Sequence, residues 1–113
     1  MKVAHYTDTP AETVEQGAIG VTIREVITPT DGAPNFSMRV FEVAPGGSTP
    51  RHRHAWEHEV YVAAGCGVVW SAEGGDHRIS EGDTIFVPGA EEHQFRNDSD
   101  DVFRFVCLIP NQG

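Results

Sequence analysis

The chain predicts a single all-β domain, a sandwich or a barrel. Short runs rich in β-branched and aromatic residues recur at regular spacing, and clusters of glycine, proline and aspartate separate them. Several of these runs alternate apolar with polar residues, the period of a half-buried strand. A length of 113 residues holds one domain, 1–113, with its core at about 20–110.

In chain order, Thr9–Gln16 (TPAETVEQ) predicts one or two helical turns. Thr9 would cap them, Pro10 would take the first helical position and Glu12 would lie in the first turn. Val21–Thr28 is a β-branched strand stopped by Pro29, and Thr30–Pro34 (TDGAP) is a turn by composition. Phe36–Val43 sets Phe36, Met38 and Val40 on one face and Ser37, Arg39 and Phe41 on the other, and Pro45-Gly46-Gly47 closes it. His58–Ala64 and Val68–Ala72 flank Gly65-Cys66-Gly67, which reads as a tight hairpin. Glu73–Asp76 is a turn before a short strand at His77–Ile79. Glu81-Gly82-Asp83 is another turn before Thr84–Val87. Pro88–Glu92 is a loop before His93–Arg96. The turn Asn97–Asp101 then leads into Val102–Ile109.

Seventeen acidic residues against eight basic ones give a formal charge of −9. No basic stripe is available for phosphates, so nucleic acid and anionic membrane surfaces are excluded as partners. No apolar run approaches the length of a membrane-spanning helix, and Met1–Pro10 lacks the apolar stretch of a signal peptide. Cys66 and Cys107 do not make a disulfide framework, so the expected compartment is the cytoplasm.

Four of the six histidines fall in two spaced motifs. The first is Gly46-x5-His52-x-His54-x3-His58-x6-Gly65, and the second is Gly82-x5-Pro88-x4-His93-x3-Asn97. His52 and His54 share a face if the backbone there is extended, and His58 and His93 join them if the chain folds back at the bracketing glycines and proline. Four converging imidazoles suit a divalent transition metal.

On these residues the chain resembles the cupin superfamily. The family's motifs look like G-x5-H-x-H-x3,4-E-x6-G and G-x5-P-x-G-x2-H-x3-N. The chain matches them at Gly46, His52, His54 and Gly65, and at Gly82, Pro88, His93 and Asn97. It departs at Ala90, which stands in place of a turn glycine, and at His58, which stands in place of a glutamate ligand. Ala33–Gly47, Arg51–Gly65 and Ile85–Pro110 look like small single-domain cupins with an all-histidine, manganese-type site. The resemblance implies a double-stranded β-helix, or jelly roll, an open metal site and a homodimer formed sheet to sheet. The expected cofactor is one divalent metal per chain, manganese or iron first, with copper, nickel or zinc also compatible with imidazole.

His58 and Glu59 both stand where the family permits a ligand. Alternation favours His58, because its parity carries Val60, Val62 and Ala64 inward and leaves Glu59 and Tyr61 outward. Glu57 is then an exposed carboxylate or a hydrogen-bond partner behind a ligand imidazole. Trp56, Phe95, Phe105, Cys107 and Arg39 are the candidate pocket residues, Arg39 as a carboxylate binder. The first functional reading is an oxidoreductase, dioxygenase-like, acting on a small enolisable or catechol-like molecule. A non-catalytic module that binds a small ligand is the alternative, and a metal-dependent isomerase or decarboxylase is a third.

Overall fold

The computed structural model describes residues 1–111. Nine strands make up nearly all of the regular structure. They are β1 (Glu12–Thr13), β2 (Ile19–Ile27), β3 (Phe36–Ser48), β4 (His58–Ala64), β5 (Cys66–Ser71), β6 (Gly75–Ser80), β7 (Thr84–Val87), β8 (His93–Arg96) and β9 (Phe103–Pro110). They form one curled antiparallel sheet in the order β6-β5-β8-β3-β9-β4-β7, with β2 on the other edge of β3 and β1 on β2. β3 is the seam. Its first part pairs with β2 and β9, and its last residue, Ser48, lies opposite Arg96 of β8.

Curling gives the sheet an inside and an outside, and strand alternation decides which residues enter. Val60 and Val62 of β4 are buried while Glu59 and Tyr61 are exposed. Phe103, Phe105 and Cys107 of β9 are buried and their neighbours less so. With Val21, Val43, Val69, Ile79 and Phe95 they form one core cluster. No described helix is long and apolar enough to cross a membrane.

Strands β4, β7 and β8 coincide with the sequence reading, but three expectations fail. The helix at Thr9–Gln16 does not form. A single 3-10 turn occupies Tyr6–Asp8, Glu12 and Thr13 pair with Ile23 and Thr22, and the Val14 N–H donates to the Val21 carbonyl at 2.9 Å. The open edge of β2 offers backbone partners that two uncooperative helical turns cannot match.

Gly65-Cys66-Gly67 is not a hairpin either: β4 pairs with β7 and β9, β5 with β6 and β8. The chain turns a corner there, from one wall to the other. Gly65 adopts φ +78°, and a Cβ on it would run into the Val102 carbonyl. A Cβ on Gly67 would stand 2.7 Å from the Phe103 ring. Only glycine fits such a corner. Finally, Pro45-Gly46-Gly47 does not end β3, which continues to Ser48 through a register shift opposite Ile19 and Val21.

Candidate metal centre

The two histidine motifs meet at one place in the backbone. His52 and His93 form an isolated antiparallel bridge, each amide N–H donating to the other's carbonyl, at 3.2 and 2.9 Å. The Ala90 N–H holds the His54 carbonyl at 2.6 Å. Ala90 does so at φ +68°, so the residue in place of the motif's glycine sits in the left-handed region that disfavours a Cβ.

One ring nitrogen from each of His52, His54 and His93 lies within 4.8 Å of the other two. His58, the first residue of β4, lies outside that group of three but touches it through His54, with its Nε2 3.0 Å from His54 Nδ1. Its ring centroid is 5.3 Å from that of His93. His58 is buried, whereas Glu59 is exposed. The Glu59 carboxyl hydrogen-bonds that of Glu57, which raises its pKa above the usual value. Glu57 is itself exposed, in the segment between His54 and His58.

Second partners orient these rings. His93 Nδ1 is 2.9 Å from the Glu91 carbonyl. A carbonyl only accepts, so Nδ1 carries a proton, and Nε2 is the nitrogen through which His93 would hold a metal. His58 Nδ1 lies 3.0 Å from Cys107 Sγ. Burial lowers the pKa of three imidazoles: His58 falls to about 3, His54 to about 4, and His52 below the ordinary histidine value. The other imidazoles and the Arg39 guanidinium add repulsion in the same direction. At neutral pH these rings are unprotonated, the state a metal ligand needs. The donor set therefore fits a divalent transition metal.

The imidazoles line a cavity of about 190 Å³ with Val21, Ile23, Phe41, Phe95 and Phe105. Phe105 stacks on Phe41 at 5.2 Å and on Phe95 at 4.6 Å between ring centroids. Cys107 is 2% exposed, and burial raises its thiol pKa, so the sulfur stays protonated. Arg39 also lines the cavity and donates to Cys107 Sγ at 3.2 Å. Trp56 stacks flat on His54, with centroids 4.6 Å apart and planes 5° apart. Phe95, Phe105, Cys107 and Arg39 line the cavity, whereas Trp56, expected with them, is not among its lining residues. Val14, Ile23, Phe41, Thr49 and Pro50 line it too and were not anticipated. Only Phe41 carried a signal, since it shares the parity of Arg39.

Residues 39–109 match the family model described as "Cupin domain". The polyketide cyclase RemF from Streptomyces resistomycificus superposes with a TM-score of 0.93 at 40% identity, over 99% of this chain and 80% of that one. Protein SchB of Streptomyces halstedii is 35% identical over 77% of this chain and 64% of its own length. The 1-methylthio-D-xylulose 5-phosphate methylsulfurylase of Rhodospirillum rubrum is 32% identical over 64% of this chain and 46% of its own. The chain spans less than two thirds of either curated relative.

Proposed function

The chain belongs to the cupin domain family, and on that premise we propose that it is a metal-dependent cyclase acting on an enolisable polyketone. One observation carries the reading: the likeness to a polyketide cyclase extends over 99% of the chain at 40% identity. His52, His54, His58 and His93 would hold one divalent transition metal; imidazole suits iron, copper, nickel and zinc, and the family resemblance adds manganese. When bound, the metal supplies Lewis-acid polarisation of a carbonyl oxygen.

The chain's own residues supply the rest. The Phe41, Phe95 and Phe105 wall excludes water and favours a folded-back apolar chain over a hydrated extended one. Ring closure forms a carbon–carbon bond between an α-carbon that loses a proton and a ketone carbon whose oxygen gains one. Water leaves when the ring dehydrates. No carboxylate, lysine or tyrosine lines the cavity among the described residues, so solvent or the substrate's own enol carries the proton.

The oxygen-dependent oxidoreductase reading stands second, favoured by an all-imidazole set that iron and copper accept. Cys107 counts against it, because a thiol 3.0 Å from His58 would be exposed to any activated oxygen. The test is incubation of metal-loaded protein with a short linear triketone in an oxygen-electrode cell, with chromatography of the products. A methylresorcinol formed with loss of water and no oxygen uptake, and abolished by chelator, is the expected result. Oxygen uptake matched to substrate loss would establish the second reading, and no acceleration over buffer would refute the first.

A further inference from the structure

Arg39 is the cation of the cavity that nothing balances. Arg24, Arg78, Arg96 and Arg104 each face a carboxylate, at 4.0, 2.6, 2.9 and 3.1 Å. Arg39 is in none of the ion pairs among the described residues, although acidic side chains outnumber basic ones by 17 to 8. Glu25 stands directly opposite it in the β2–β3 ladder, yet is exposed and forms no such pair either. Arg39 Nε is buried with no hydrogen-bond partner. The remaining contacts of the guanidinium are soft ones: Cys107 Sγ at 3.2 Å and the face of Phe41, 5.1 Å from its centroid.

A buried donor without a partner is costly, and an arginine fork held over an aromatic ring can still take two oxygens at once. The same sulfur that touches Arg39 touches His58 Nδ1 at 3.0 Å, so guanidinium and imidazole stand one atom apart on the same wall. We propose that Arg39 recognises a carboxylate on the substrate, so that the cavity selects ketones bearing an acid group over neutral ketones. A β-keto carboxylate fits this arrangement, its acid on Arg39 and its ketone over the imidazoles. The proposal deepens the polyketone reading and rests on the same cavity.

The test uses chelator-treated protein and two small probes, acetoacetate and its neutral analogue acetylacetone, titrated at neutral pH by protein-detected nuclear magnetic resonance. Acetoacetate should bind more tightly than the diketone to the native protein. Arg39→Met should weaken acetoacetate by roughly tenfold or more while leaving the diketone nearly unchanged. Arg39→Lys should keep part of the preference, and Arg39→Gln replaces the methionine variant if the latter fails to fold. Equal affinity of the two probes for the native protein, or an unchanged preference in the neutral variants, would overturn the proposal. Neither probe can close a carbocycle by itself, so the result does not depend on cyclase activity. Carboxylate selection without triketone turnover would sink the cyclase reading and leave this one standing, and the reverse outcome would do the opposite.

Discussion

Acid should destabilise the metal-free protein well above the pH at which carboxylates titrate, and His58 should be the main reason. Its imidazole is 6% exposed, and its pKa is pushed down to about 3 by burial first and by its charged and imidazole neighbours second. In the unfolded chain it titrates near 6.5. Between those values the unfolded state binds a proton that the folded state does not. Stability is therefore full above about pH 6.5 and falls as pH drops. For one group this amounts to about 1.4 kcal/mol per pH unit once the unfolded histidine is protonated, or about 2 kcal/mol between pH 7 and pH 5. His54 and His52 shift the same way, but they are half-buried and exposed, so solvent screening makes their shares smaller. The lowered carboxylates of Asp31, Asp76 and Asp98 act only below about pH 4, outside this window. The assay is urea denaturation of chelator-treated protein at half-unit steps from pH 7.5 to 5, an experimental range set by the histidine reference value. His58→Gln should flatten the slope by about 1 kcal/mol per pH unit. A native profile that is flat over this range, or one unchanged by the substitution, would refute the reasoning.

Other outcomes follow from the same geometry. Asn97, 2% exposed, donates to the Val43 and Asp101 carbonyls and accepts from the Ser99 amide and hydroxyl. Asn97→Ala should cost about 2–4 kcal/mol in urea denaturation, because buried backbone groups on β3 and in the β8–β9 turn lose their partners. Ala90→Gly should raise stability by about 0.5–1 kcal/mol in the same assay by relieving the left-handed backbone at that residue. Chelator-treated protein should keep its β-sheet circular dichroism but melt lower than metal-loaded protein, and His58→Ala or His93→Ala should lower metal content while the sheet remains. Ile19, Phe36, Tyr61 and Phe86 are at least half exposed, which is large apolar area for a free surface. Light scattering at micromolar concentration should show a homodimer, and Tyr61→Lys should weaken it.

Legibility in the sequence followed the range of the interactions involved. β4, β7 and β8 are short alternating runs bounded by glycine, proline or charge, so local pattern alone sets them. The inward course of His58 could be read because Val60 and Val62 share its parity. What failed depended on partners far along the chain. Glu12 and Thr13 become a strand only because Ile23 and Thr22 of β2 lie beside them. Gly65 and Gly67 carry the signature of a hairpin, but the atoms that require them to be glycine belong to Arg96, Val102 and Phe103. The pocket contributions of Val14, Ile23, Thr49 and Pro50 arise from curling of the sheet, which no local period encodes. Arg39 was legible as a cavity residue, but its lack of a counter-charge was not. That required knowing where every carboxylate lies.

The stacking of Trp56 on His54 has an optical consequence. Indole emission responds to charge and to heavy, open-shell neighbours within contact range, and this indole lies 4.6 Å from an imidazole at the candidate metal centre. The second tryptophan, Trp70, sits under the Arg51 guanidinium at 3.8 Å. The chain thus carries its own reporter. Manganese, iron or copper arriving at His54 would quench one of two emitters through unpaired electrons, a route that closed-shell zinc lacks. Loading, exchange and loss of the ion can then be followed in the unlabelled protein in real time, and the two kinds of metal told apart by eye on a fluorimeter trace.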